Sequence, residues 1–248
     1  TGVLSLTGNA SLADYELVLR SVSFRNTGTN PTNRGSSTSR AIAFNVIDAN
    51  SESFGTAASG SATVNITVNA VNIAPTVTAG AKSTYTEAGT ASVVDPDFTL
   101  SDDDDTQLSG AVLEITTGYA TGDQLNFLTQ NGISGSFNPS THRLTLAGAA
   151  SLAQYQAALQ SVTFSSTSAD PTANSDTRTL SVQITDANRD AAPDGVQTSS
   201  AATSTISITP VANAPVLTPS AGSTSPSYTE ADAPVALSPA LTVEDADD

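Results

Sequence analysis

Along this chain the apolar residues fall largely on every second position, in short runs broken by Gly, Asn, Asp and Pro. Ala111, Leu113 and Ile115 alternate with Val112 and Glu114, and Leu125 with Phe127, Leu144 with Leu146 and Val162 with Phe164 keep the same period. Leu180, Val182 and Ile184, then Ile206 and Ile208, continue it with Ser or Thr among the intervening residues. A period of two sends alternate side chains to opposite faces of a strand, so these runs predict short antiparallel strands with one buried face per sheet. The expected fold class is all-β, an antiparallel β-sandwich. One segment departs from the period. Ser151, followed by Leu152, Gln154, Tyr155 and Leu159, has a capping-box start and apolar residues at helical spacing, which predicts about two turns of helix. Tyr155 is expected to face the core and pin this helix to the sheet.

The pattern recurs in order. Residues 1–24 return as 141–164, with Leu4, Leu6, Gly8, Ser11, Tyr15, Leu19, Val22 and Phe24 each meeting its own residue type. Asn30-Pro31-Thr32 returns as Asp170-Pro171-Thr172, Asp48-Ala49-Asn50 as Asp186-Ala187-Asn188, and Ala74-Pro75 as Ala214-Pro215. Tyr85-Thr86-Glu87 returns as Tyr228-Thr229-Glu230, and the acidic run 102–105 is matched by Asp245, Asp247 and Asp248. Self-similarity at a fixed period signals tandem repeats, each with one short helix. With the Ala-Pro steps as boundaries, 1–73 is the C-terminal part of one repeat, 74–213 a complete repeat, and 214–248 the N-terminal part of another. The partial pieces lack core partners. Joining the last piece to the first would omit the counterpart of residues 106–140, which favours a window on a longer chain over strand exchange between identical molecules. The absence of Met reads the same way, as a processed chain or an excerpt.

Composition narrows the function. The chain has no Cys, Met or Trp and one His, which excludes disulfides, Cys-based metal centres, thiol nucleophiles and multi-His sites. No apolar run is long enough for a membrane helix. Catalysis is not expected: His142 is matched by Gly2 in the other copy, Lys82 is the only lysine, and the acids gather on recurring loops rather than across a cleft. The 24 acids against 8 bases give a formal charge of −16, which repels nucleic acid and attracts cations. Four adjacent carboxylates, Asp102 to Asp105, repel one another on a tight loop unless a cation offsets the repulsion. Calcium fits such a loop, because it accepts six to eight oxygen ligands in flexible geometry.

The stretch from Arg40 to Asp48, a Ser/Gly-rich loop, then Ala62-Thr63-Val64-Asn65-Ile66-Thr67-Val68 and Asn72-Ile73-Ala74-Pro75 resembles the last two strands and linker of a cadherin repeat. The whole chain looks like the tandem cadherin-like repeats of very large bacterial surface proteins and adhesins. That resemblance implies a cadherin/Ig-like sandwich, an extracellular or cell-surface location, and calcium held at repeat junctions. Glu87 lies 15 residues after Asn72 and Asp102 lies 30 after it, so the resemblance gives Glu87, Asp102 and Asp104 a ligand role at the first junction. It gives Glu230, Asp245 and Asp247 the same role in the next repeat. Asp186 and Asn188, like Asp48 and Asn50, either contribute from the preceding repeat or close a hairpin turn. The acidic linker of cadherins is replaced here by Asn69-Ala70-Val71-Asn72-Ile73 and Thr209-Pro210-Val211-Ala212-Asn213, so one or two calcium ions per junction are expected rather than three. The expected function is a structural and adhesive segment that forms a rod, filament or surface layer, its partners being neighbouring repeats of the same or identical chains, head to tail. The alternative is a recognition module for a surface glycan or protein receptor, for which Tyr119, in the part of the repeat with no copy in this chain, is the candidate residue.

Overall fold

The computed structural model describes residues 2–80, 82–189, 191–219, 226–238 and 240–247. Asp248, the last acid of the second run, lies outside the described residues. The chain divides into two compact units, Thr1–Ile73 with Asn188–Gly195, and Ala74–Ala187 with Val196–Asp248.

The first unit opens with helix α1 (Leu12–Arg20). The Ser11 hydroxyl accepts from the Asp14 amide at 3.2 Å, and the Asp14 carboxylate accepts from the Ser11 amide at 3.3 Å, which satisfies two of the orphan donors at the helix start. Strands β1 (Ser39–Ile47) and β2 (Ser59–Thr67) follow as an antiparallel hairpin, in register from Ser39 opposite Thr67 to Ile47 opposite Ser59.

The second unit holds β3 (Thr76–Thr78), β4 (Lys82–Thr86), β5 (Ser92–Val93), β6 (Thr99–Ser101), β7 (Gln107–Thr117), β8 (Asp123–Asn126), β9 (Ser134–Asn138) and β10 (Arg143–Ser151). Helix α2 (Leu152–Gln160) leads to β11 (Thr163–Ser166), β12 (Thr177–Asp186), β13 (Ala202–Thr209), β14 (Val216–Thr218) and β15 (Thr242–Glu244). A six-stranded sheet in the order β4-β13-β12-β7-β10-β9 faces a three-stranded one, β5-β11-β8, while β3 pairs with β6 and β14 with β15. Every pairing is antiparallel except β13 with β4. The alternating residues read from the sequence form the core: Leu113, Ile115, Leu144, Leu146, Leu180, Val182, Ile184 and Ile206 come from the large sheet, and Leu125 and Phe164 from the small one. Tyr85 meets Phe164 edge to face at 5.2 Å, a favoured arrangement for two ring quadrupoles. The fold is an all-β sandwich with one short helix in each unit.

Helix α2 packs as the sequence indicates, with Tyr155, Ala158 and Leu159 buried. Tyr155 does more than fill space: its hydroxyl donates to the Gly148 carbonyl at 2.6 Å, and Tyr15 makes the same 2.6 Å bond to Gly8 in the first unit. Gly148 and Gly8 sit at φ +135° and +140°, and a Cβ on Gly148 would come 2.3 Å from the Gly132 carbonyl oxygen, so no larger residue fits the acceptor turn. Tyr155→Phe removes the buried donor and is expected to lower stability by about 1 kcal/mol in urea denaturation; an unchanged midpoint would mean that Gly148 finds another donor.

An ion pair lies inside the second unit. Arg178 and Asp123 have fully buried side chains, with Arg178 Nε donating to Asp123 Oδ2 at 2.5 Å. The remaining guanidinium nitrogens donate to Ser175 O at 2.7 Å and Pro171 O at 2.6 Å, and Asp123 Oδ2 also accepts from the Ala120 amide at 2.8 Å.

Candidate cation-binding loops

Strand β6 pairs with β3 so that Ser101 lies opposite Thr76, and Asp102 therefore follows directly on the strand position next to the Ala74-Pro75 step. Asp102 Oδ1 accepts from the amides of Asp104 at 3.1 Å and Asp105 at 2.9 Å, a turn that folds the acidic run back on itself. Asp105 Oδ1 in turn accepts from Thr106 N at 2.7 Å and Gln107 N at 3.2 Å. Asp104 and Asp105 are each only 2% exposed. The run is thus an inward-folded loop rather than a solvated tail. Asp102 Oδ2 is buried with no hydrogen-bond partner. Burial, followed by the neighbouring Asp104, pushes the Asp102 carboxyl up to about 7, against the lowering effect of the Asp105 and Asp104 amides.

Asp186 stands at the same end of the large sheet. It ends β12 opposite Leu108 of β7, its carbonyl accepts from Ser109 Oγ at 2.6 Å, and Ala187 N donates to Gln107 O at 3.1 Å. Its buried carboxylate accepts from Gln197 N at 3.0 Å. Asn188 closes the loop that follows: its Oδ1 accepts from Ala192 N and its Nδ2 donates to Ala192 O, both at 2.9 Å. Asn50 works likewise in the first unit, where its Nδ2 donates to Gly55 O at 3.0 Å.

Glu87 is grouped differently from the expectation. Because β4 runs parallel to β13, Glu87 leaves the sheet where β13 enters the second linker, and its amide donates to Thr209 O at 2.9 Å. Its carboxylate accepts from Val211 N at 3.0 Å and Asn213 Nδ2 at 3.1 Å, so it joins the second linker instead of the Asp102 loop. Asn213 Nδ2 also approaches Asp247 Oδ1 at 2.7 Å and Ala169 O at 2.8 Å, and Asn213 N donates to Asp247 Oδ2. Asp245 orients this arm by accepting from Asp247 N at 3.2 Å. Glu87, Asp170 and Asp247 share a cavity of about 580 Å³ with Pro210 and Val211. An amide nitrogen with two hydrogens thus faces three oxygens, which leaves acceptor capacity over. Glu230 is exposed in a turn closed by Asp232 N on Thr229 O.

Three residues were not anticipated. Asn213 and Asp170 fall in no acidic run, and their counterparts in the other copy, Ile73 and Asn30, carry no charge that would have marked them. In the first unit Asp194 accepts from the Asn72 amide with both oxygens, at 3.1 and 3.2 Å, while Asn72 Nδ2 donates to Gly195 O at 2.7 Å. Nothing in the local sequence marks Asp194 for this. Tyr119 stacks on His142 with ring centroids 3.7 Å apart, so this candidate for recognition already has a partner on one face.

Among the described residues no three His, Cys, Asp or Glu side chains converge tightly enough to hold a metal by themselves, and no helix is long and apolar enough to cross a membrane. No protein-family profile matches the chain, and no curated protein matches it. Among solved structures, the human desmocollin-1 ectodomain is similar at 15% identity with a TM-score of 0.26. That match covers 75% of this chain and 30% of the ectodomain, so the chain spans under a third of the protein it resembles.

Proposed function

We propose that this chain is a calcium-binding structural segment of a long extracellular protein, built from cadherin-like sandwich repeats that form a rod, filament or surface layer. The observation that carries this reading is the orphaned, buried Oδ2 of Asp102 in a loop of four adjacent acids, which a cation would satisfy. The oxygens offered are of the kind a hard cation takes, to be completed by backbone carbonyls and water. Asp102 and Asp104, with Asp186 at the same end of the sheet, supply carboxylate oxygens at the start of the whole repeat. Glu87, Asp170 and Asp247, with Asn213 and the Ala169 carbonyl, supply a mixed oxygen set at the second linker. Calcium there would neutralise like charges on the two sides of a short linker and restrict its bending; the Ala-Pro step already restricts the backbone. The regrouping of Glu87 gives each set its own probe. Titration calorimetry is expected to show calcium binding in two separable events, with Glu87→Gln removing one and Asp102→Asn the other. Absence of calcium heat in the unsubstituted chain would defeat the metal role and leave the fold untouched.

A further inference from the structure

The first unit repeats the local geometry of the second with one element missing. Arg40 occupies the place of Arg178 and makes the same clamp: one terminal nitrogen donates to Ser37 O at 2.9 Å and the other to Pro31 O, as Arg178 does to Ser175 O and Pro171 O. Arg178 completes its set with the buried carboxylate of Asp123. Among the described residues, Arg40 has no carboxylate beside it.

Apolar side chains of the first unit tell the same story. Phe24 is 43% exposed where its counterpart Phe164 is 0% exposed, and Leu4 is 67% exposed where Leu144 is 1% exposed. In the second unit these positions are covered by β7, which lies between β12 and β10, and by β8, which pairs with β11 and begins with Asp123. Residues 3–11 and 23–26, the counterparts of β10 and β11, are not strands in the first unit, as expected of backbone that lacks its ladder partner.

We infer that the open face of the first unit is a docking surface for a strand pair of the same repeat type: an alternating apolar strand, then a short strand whose first residue is an aspartate that pairs with Arg40. A second copy of the chain cannot donate its own pair, because its Leu113, Ile115 and Asp123 are already buried. The inference rests on the repeat organisation and not on calcium binding.

The test uses the full chain preceded by a copy of its own residues 74–140 joined to Thr1, compared with the chain alone by amide hydrogen exchange, in calcium and in chelator. The amides on the open edge of β1 and in residues 23–26 are expected to slow by at least about 100-fold when the copy is present, in both conditions. Arg40→Leu, or Asp123→Leu in the copy, is expected to cancel most of that protection, whereas the two together cost no more than either alone, because neither then leaves a buried charge unpaired. The amides of the second unit serve as the internal standard for folding. Three outcomes would overturn the inference: no protection from the copy, strictly additive effects of the two substitutions, or a chain that alone sediments as a dimer with this face already protected.

Discussion

Arg178→Ala is expected to lower the stability of the second unit by about 3–5 kcal/mol, the largest loss from any single substitution outside the apolar core. Its side chain is wholly buried, and its removal strands the Asp123 carboxylate together with the carbonyls of Pro171 and Ser175. Each of those groups gave up water to reach this site, so the cost is desolvation without compensation rather than the loss of one attraction. Against a typical domain stability of about 5–15 kcal/mol, the change consumes a large share of the total. Urea denaturation followed by circular dichroism reads it as a lower midpoint with an unchanged slope. Asp123→Leu combined with Arg178→Leu should recover part of the loss, since the pair is replaced by apolar volume. A loss below about 1 kcal/mol for Arg178→Ala would mean that water reaches the pair, and the first unit's Arg40 would then have no reason to await a carboxylate.

What could be read from the residues, and what could not, divides along the range of the interactions. Strands β7, β10, β12 and β13 were legible because a period of two is local, and a buried face forces Leu113, Leu146, Val182 and Ile206 onto one side. The helix was legible because a capping box spans four residues. The Arg178–Asp123 pair joins residues 55 apart in sequence, and neither neighbourhood marks its charge as buried. Glu87 shows the same limit at the site. Its distance from Asn72 suggested one junction, but its neighbours depend on β4 lying parallel to β13, a pairing with no local signature. Repetition did not recover this either: Asn72 and Asn213 both donate their backbone amide to an aspartate, yet the repeat sets Asn72 against Ala212 and Asn213 against Ile73.

Calcium removal is expected to expose the cost that the Asp102 loop carries in the cation's absence. Burial holds the Asp102 carboxyl at about 7 in the folded chain against an ordinary 3.8. A folded value raised above the unfolded one means that the folded state prefers the protonated form. The associated stability is therefore complete below about pH 4 and is lost as pH rises through 7. In chelator, the melting temperature should fall across that window. With calcium present at about 100 times its dissociation constant, each site adds about 2.7 kcal/mol, or about 5–10 °C for a domain of this size. The slope with pH should then reverse, because calcium displaces the proton and binds better as pH rises. Asp102→Asn separates the two effects: it carries no titrating proton, so the chelated protein should lose most of its pH dependence between 4 and 7 and melt higher at pH 8 than the unsubstituted chain. The same substitution should abolish the calcium increment of this loop while leaving that of Glu87 and Asp247. A variant that keeps the full calcium increment would place the cation elsewhere. One that keeps the pH slope would assign the raised carboxyl to another group in the acidic run.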